Sequence, residues 1–356
     1  MLLRSQNAIN QLIMNIALIG LPQAGKRTLF TLLTSRPVPP DRKPGEIPEG
    51  IAPIHDPRVD KLAELYKPKS IVYAENHFVL CPDADISGAS HAWLTAAAKC
   101  DLLCIVLRAF ESDNVYHPSG SVDAERDRKN LEDELLLSDL EIVEKRLARI
   151  EKESRAGLSP VQKLEQQTLL KCQSVLNEEH CISEANLEPN EIASLLNLNL
   201  VTNKPRICLY NVSEDNLSVD TGGGSLTVSC QIEQEIAEIE SPGEQAEYMD
   251  ALGITSSGLD RVNAKAYDAL GLMSFYTVGK DECRAWTIRK GSSAPVAGGK
   301  IHTDIQRGFI RVEVIKYDDL IELGSEQTVK QDGKMQTRGK DYTMEDGNIC
   351  HFLFNV

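Results

Sequence analysis

The stretch NIALIGLPQAGKRTLF, Asn15 to Phe30, decides the fold of this 356-residue chain. It opens with an apolar run that ends at Gly20, the pattern of a short buried strand. Its last residues enter a helix over Leu29–Leu33. Between strand and helix stands G-x-x-x-x-G-K, Gly20 to Lys26, the spacing of a phosphate loop. In such a loop the backbone around Gln23, Ala24 and Gly25, together with the helix N-terminus, surrounds an anion with N–H groups. Gly25 lets the backbone come close, and Lys26 reaches for the β- and γ-phosphates. The residue after the lysine is ordinarily Ser or Thr, whose hydroxyl holds Mg2+. Here it is Arg27, with Thr28 one step later. A guanidinium cannot ligate a cation, but as a fixed bidentate donor it can neutralise phosphate charge without one.

Outward from this loop, strand and helix patterns alternate, which predicts an α/β fold of the Rossmann-like P-loop NTPase kind. His55–Tyr66 reads as a helix entered through Pro57. His77–Cys81 and Leu102–Leu107 read as buried strands, and the proline-rich segment Pro37–Pro53 as a loop. Leu131, Leu135, Leu140, Val143, Leu147 and Ile150 recur at helical steps. After Gly157 and Pro160, the residues Val161, Leu164, Thr168, Cys172 and Val175 make a second stripe, so the pair predicts an inserted αα-hairpin. Strands return at Pro205–Asn211 and Leu226–Cys230, and from Phe275 short strands between Gly-rich turns predict a small α+β domain. The expected boundaries are an extension at 1–13, a P-loop domain at 14–125 and 201–274, a helical insertion at 126–200 and a tail domain at 275–356.

Two further segments follow strands at the far side of the expected sheet. Asn211-Val212-Ser213-Glu214 offers an Asn that can brace the phosphate loop and a carboxylate that can accept from the exocyclic amine of a base. Ser229-Cys230-Gln231, after the next strand, completes such a pocket. Metal donors are scarcer. The D-x-x-G pattern from Asp85 to Gly88 starts several residues past its strand and reads first as a polar turn. Thr28, Asp83 and Asp85 are the candidate Mg2+ ligands, and no catalytic residue is assigned.

With 38 Lys and Arg against 53 Asp and Glu, the formal charge is −15, which argues against a whole-surface nucleic-acid binder and gives no expectation of DNA. From Gly279 to Val356 the signs balance at twelve each, so an anionic partner such as RNA is approached most easily through the tail. There Lys330, Lys334, Arg338 and Lys340 stand close together, either as a phosphate-contacting patch or as a solvated loop. Trp286 and Phe309 have apolar neighbours and are expected in the core. Nine cysteines lie scattered without CxxC pairs, which points to a reducing, cytoplasmic setting rather than zinc or disulfides. No apolar run approaches the ~20 residues of a membrane span. Residues 1–13 lack the apolar centre and cleavage site of an export signal; they read as an extension, or Met14 as the start.

In this order, the motifs make the chain from Met14 onward resemble the YchF family of Obg-related P-loop NTPases, the Obg-like ATPases. Family members read GLPNVGKSTLF where this chain has GLPQAGKRTLF (Gly20–Phe30), and PDPRLDxLAE where it has HDPRVDKLAE (His55–Glu64). Their VVRCFE, ANVNED and IESEIAEL are similar to IVLRAFE (Ile105–Glu111), YNVSED (Tyr210–Asp215) and IEQEIAEI (Ile232–Ile239). The tail is closest: RAWT (Arg284–Thr287), IHTDxxxGFIRxEVI (Ile301–Ile315) and GKDYxxxDGxxxHFxFNV (Gly339–Val356). The resemblance implies a Rossmann-like G domain, a helical hairpin inserted in it and a C-terminal TGS-type domain, which is a ubiquitin-like β-grasp. It also implies ATP use at least as readily as GTP, because NxxE stands in place of the guanine-selective NKxD, and association with ribosomes.

The departures from the family fall on metal and hydrolysis. The P-loop serine is Arg27, and between Ser35 and Leu94 there is no threonine to serve as the first switch's Mg2+ ligand. The family's DIAG is replaced by Leu80-Cys81-Pro82-Asp83, and its KGEGLGN is missing after Gly88-Ala89-Ser90. Ile105 takes the place of the histidine expected to position water. Phosphoryl transfer rests on Mg2+ and a positioned nucleophile, so hydrolysis is expected to be slow or absent. The expected function is a weak or non-hydrolysing purine-nucleotide (ATP or GTP) binder that acts on the ribosome or RNA through its tail. Two readings compete with it. One is an active Mg2+-dependent ATPase or GTPase that recruits Thr28, Asp83 and Asp85. The other is a protein–RNA scaffold whose Lys26 and Arg27 bind no nucleotide.

Overall fold

The computed structural model describes residues 14–39, 45–86, 88, 90–112, 114–154, 157–217 and 224–355; the expected extension at 1–13 lies outside them. Along the chain run β1 (Asn15–Ile19), α1 (Lys26–Thr34), β2 (Glu49–Ile54), α2 (Pro57–Tyr66), β3 (Ser70–Val72), β4 (Ala74–Leu80), α3 (Ala92–Ala97) and β5 (Leu102–Ala109). Next come α4 (Ala124–Glu153), α5 (Pro160–Asn177), α6 (Pro189–Leu195), β6 (Arg206–Val212), β7 (Leu226–Val228), α7 (Cys230–Glu238), α8 (Pro242–Ala251) and α9 (Gly258–Ala269). Last are β8 (Leu272–Val278), β9 (Glu282–Arg289), α10 (Ala294–Ile301), α11 (Thr303–Arg307), β10 (Phe309–Lys316), α12 (Tyr317–Leu323), α13 (Glu326–Gln331), β11 (Gln336–Arg338) and β12 (Asn348–Phe354).

The described chain divides into two compact units, the first made of 14–51 and 77–262. Its sheet has the order β2-β4-β1-β5-β6-β7. From β4 to β7 the pairings are parallel. Strands covered on both faces read as nearly continuous apolar runs, as β1 and β5 do apart from Asn15 and Arg108 near their ends. The neighbours of β1 come later in the chain on both sides, so the strand order reverses at β1, and in such sheets ligands bind beyond the carboxyl ends of the strands at that point. Trp93 and Leu94 of α3, with Leu131 and Leu135 of α4, close one face over Ala17, Leu103 and Ile105. The αα-hairpin forms as expected. Val143 and Ile150 of α4 meet Leu169, Cys172 and Leu176 of α5 in a core of their own. Ser159 opens α5 with a capping box, and Arg146 grips Glu165 through two bonds of 2.6 and 2.7 Å.

The expected loop at Pro37–Pro53 is interrupted by β2. Proline argues against a central strand, but β2 is the outermost strand of its sheet, where a missing ladder N–H is tolerated.

The second unit comprises 52–76 and 263–355. Its sheet has the order β11-β10-β12-β8-β9-β3, with β8 and β12 parallel near the centre and antiparallel pairings of β9 with β8, of β10 with β12 and of β11 with β10. Residues 52–76 and 263–274 were expected in the P-loop domain; they pack in this unit instead. β3 adds to the edge of β9. α2 buries Val59 and Leu62 in a cluster with Tyr276, Cys283 and Leu320. Phe309 is core, whereas Trp286 is half-buried with the Arg284 guanidinium 4.5 Å over its ring. The basic stretch of the tail is partly neutralised: Lys334 pairs with Asp319 at 2.8 Å and Glu322 at 3.3 Å, and Arg338 lies over Tyr342.

A charged knot explains why HDPR belongs to this unit. Asp56 caps α2 and accepts bonds from Arg58 and, at 2.5 Å, from the Tyr276 hydroxyl. Arg58 also reaches Asp346 at 2.6 Å, and Asp346 accepts from the Ser274 N–H at 2.9 Å. Burial by itself would raise the Asp56 carboxyl, but the bonds from Arg58 and Tyr276 outweigh it and hold the group below its ordinary range. A depressed folded-state pKa gives stability that is present above the unfolded value of about 4 and is lost as pH falls through the folded one. Asp56→Asn should therefore cost about 1–2 kcal/mol at pH 7. In urea melts at a series of pH values the deficit should shrink below about pH 4. A deficit that stays constant down to pH 3 would contradict this account.

Candidate functional site

β1 delivers the chain to Gly20 at the reversal point of the sheet. A side chain there would place its Cβ 2.3 Å from the Val106 carbonyl oxygen of the neighbouring strand β5, so the approach of loop to strand demands glycine. The loop then turns through Gln23, at φ 64°, and Gly25, at φ 97°, before α1 begins. α1 has no side-chain cap and no acidic residue in its first turn. An uncapped helix N-terminus behind a tight glycine turn suits an anion.

Asn211, at the end of β6, clamps this loop. Its Nδ2 donates to the Ala24 carbonyl at 3.1 Å, and its Oδ1 accepts from the Cys230 N–H at 3.0 Å. Ser229 caps α7 by accepting from the Ile232 N–H. Gly20, Ala24, Gly25, Lys26, Asn211, Ser229 and Cys230 thus come together much as the sequence pattern proposes. The other candidates lie further out. Gln23 and Arg27 are exposed, and Thr28 and Asp85 are half-buried. The Val212 side chain packs into the core of the sheet. Glu214 is exposed on the short turn Glu214–Asn216, and Gln231 is exposed and bonded to Glu235 at 3.1 Å.

Lys26 is folded back into the loop and 4% exposed. Its ammonium donates to the Gly20 carbonyl at 2.6 Å, the Leu21 carbonyl at 2.8 Å and Asp83 Oδ1 at 2.6 Å. Burial pushes its pKa down, and Asp83 opposes the shift. Asp83, a candidate metal ligand in the sequence, is therefore the partner of the loop lysine. What the sequence showed of this was only an acid in place of the DIAG glycine.

The residues present fit a phosphate better than they fit Mg2+. The hydroxyl slot after Lys26 holds Arg27. At the end of β4, where an acid would face the metal, Leu80 is buried. Ile105 is wholly buried within β5 and offers nothing to a water molecule. Among the described residues no group of three or more His, Cys, Asp or Glu is arranged to hold a metal ion. No described helix is long and apolar enough to cross a membrane. The cysteines are free, and all but half-buried Cys208 are buried.

Residues 272–355 match the family model YchF-GTPase_C, described as a protein of unknown function (DUF933). Over almost the whole chain there are named relatives. The Ribosome-binding ATPase YchF of Escherichia coli O157:H7 is 35% identical over 360 positions, covering 95% of this chain and 98% of the relative. That of Bacillus subtilis (strain 168) is 34% identical over 362 positions, with the same coverage. Obg-like ATPase 1 of Oryza sativa subsp. japonica is 35% identical over 366 positions, covering 96% of this chain and 92% of the relative. The solved structure of the Schizosaccharomyces pombe YchF GTPase superposes with a TM-score of 0.81 at 31% identity, covering 96% of this chain and 98% of that one. With its loop, its sheets and its tail all aligned to these proteins, the chain belongs to the YchF family.

Proposed function

We propose that this chain binds a purine nucleotide, ATP or GTP, through the loop Gly20–Thr28, hydrolyses it slowly or not at all, and acts on the ribosome through its tail. The observation that carries the reading is the phosphate loop clamped by Asn211, and it is supported by Arg27, Leu80 and Ile105 standing where the family resemblance expects metal and water groups. In that loop Arg27 takes over the neutralisation of phosphate charge that Mg2+ otherwise provides. The names of the relatives, ribosome-binding ATPase and GTPase, support both the nucleotide and the ribosome. The central parallel pair β8/β12 between antiparallel strands supports reading the tail as a TGS-type β-grasp, with RNA as its partner. A cytoplasmic setting follows from that partner.

The test is calorimetric titration of ATP and GTP with and without Mg2+, alongside phosphate-release assays. Binding is expected with little dependence on Mg2+, and turnover at the buffer background. Mg2+-dependent turnover that disappears in Asp85→Ala would replace this reading with the active NTPase. No binding at millimolar nucleotide, with ribosome co-sedimentation unchanged in Lys26→Ala, would replace it with the scaffold.

A further inference from the structure

We propose that Asp83 is a latch on the phosphate loop: its carboxylate holds Lys26 as an internal anion, and a nucleotide binds by displacing it. The inference rests on the reading that the loop takes a nucleotide. An ammonium has three N–H donors. Lys26 uses all three, on the carbonyls of Gly20 and Leu21 and on Asp83. A phosphate therefore reaches Lys26 only if one of these bonds breaks. The two carbonyls belong to the loop itself. Asp83 is the removable partner, because its side chain is 59% exposed while Lys26 is 4% exposed.

The backbone on either side of Asp83 is pinned, so the carboxylate is presented to Lys26 by the fold. The Cys81 N–H donates to the Leu18 carbonyl at 3.2 Å, and the Ala84 N–H to the Gly20 carbonyl at 3.0 Å. Cys81 and Ala84 are buried in one cluster with Leu21 and Trp93. Only the side chain of Asp83 is left to swing away. A single carboxylate is displaced best by a ligand of higher negative charge. The latch thus selects a nucleoside polyphosphate over a monophosphate. It also favours the metal-free nucleotide over its Mg2+ complex, in which part of that charge is neutralised.

The experiment is calorimetry on the full chain at pH 7, titrating ATP in EDTA and then ATP with excess Mg2+, for wild type, Asp83→Asn and Asp83→Ser. Releasing one charge-assisted bond should tighten metal-free ATP binding about tenfold in both variants. AMP should gain relatively more than ATP, since it displaces the carboxylate least well. An affinity that is unchanged or weaker in both variants, while wild type binds, overturns the latch and leaves the nucleotide reading standing. Mg2+-ATP binding lost in both variants would make Asp83 a metal ligand, again overturning the latch. No binding in wild type or either variant, with melting temperatures preserved, would overturn the nucleotide reading and the latch together.

Discussion

Gly25→Ala is expected to destabilise the P-loop unit by about 4 kcal/mol and to abolish nucleotide binding. The new Cβ would stand 2.2 Å from Asn211 Nδ2, a distance no packing tolerates. Asn211 has to leave, and its bonds to the Ala24 carbonyl and the Cys230 N–H go with it. Both partners are buried, so each lost bond leaves a polar group unsatisfied, at about 1–3 kcal/mol. The left-handed φ of 97° adds a strain that alanine bears and glycine does not. Asn211→Ala should cost less, about 2–3 kcal/mol, because the clash and the strain are absent. The double variant should cost clearly less than the sum, since the first change already expels the second side chain. The chain has two tryptophans, so a Trp286→Phe background leaves buried Trp93 to report urea melts of this unit. Strict additivity of the two costs would show that the clamp does not exist.

Asp139→Ala is expected to cost about 3–4 kcal/mol and to loosen the base of the helical insertion. Asp139 lies on α4, wholly buried. It accepts from the Val201 N–H at 2.9 Å, the Thr202 N–H at 2.7 Å and the Thr202 hydroxyl at 2.6 Å. It therefore ties the helix to the strand-entry segment where the chain returns to the sheet. Alanine would leave two buried backbone donors without acceptors. Burial raises the Asp139 carboxyl above its usual range against the opposing bonds from Thr202 and Val201. Asp139→Asn keeps one acceptor oxygen and avoids burying a charge, so it should fall between wild type and Asp139→Ala. The same Trp93 melt checks the order, and limited proteolysis near 198–204 checks the location. An alanine variant within 1 kcal/mol of wild type would remove Asp139 from this role.

Much of the architecture was legible because its signals are local. The glycine spacing from Gly20 to Gly25, the apolar run Leu102–Leu107 and the leucine stripe of α4 each report a strand, turn or helix through near neighbours in the chain. β3 was not legible: its three residues, Ser70–Val72, are too few to carry a period and become a strand only by adding to β9. β2 lies at the end of a proline-rich stretch and contains Pro53, so it reads as a loop; its place at the sheet edge makes it a strand. HDPR was recognisable as a motif, but not as part of the second unit. Its role depends on Tyr276, more than two hundred residues away.

The sequence by itself determined that a phosphate loop lies between a buried strand and a helix, that a helical hairpin interrupts the α/β chain, and that the metal and water positions carry Arg27, Leu80 and Ile105. Residue type and short spacing are enough for the loop and the hairpin, and the resemblance to the family marks Arg27, Leu80 and Ile105 as standing where metal and water groups are expected. Only the tertiary structure decided that the brace expected of Asn211 falls on the Ala24 carbonyl across 187 residues, that Asp83 meets Lys26 across 57, and that residues 52–76 pack with the tail. The physical reason is that a hydrogen bond or ion pair depends on where two side chains come to rest, and that is settled by the packing of elements far apart in the chain.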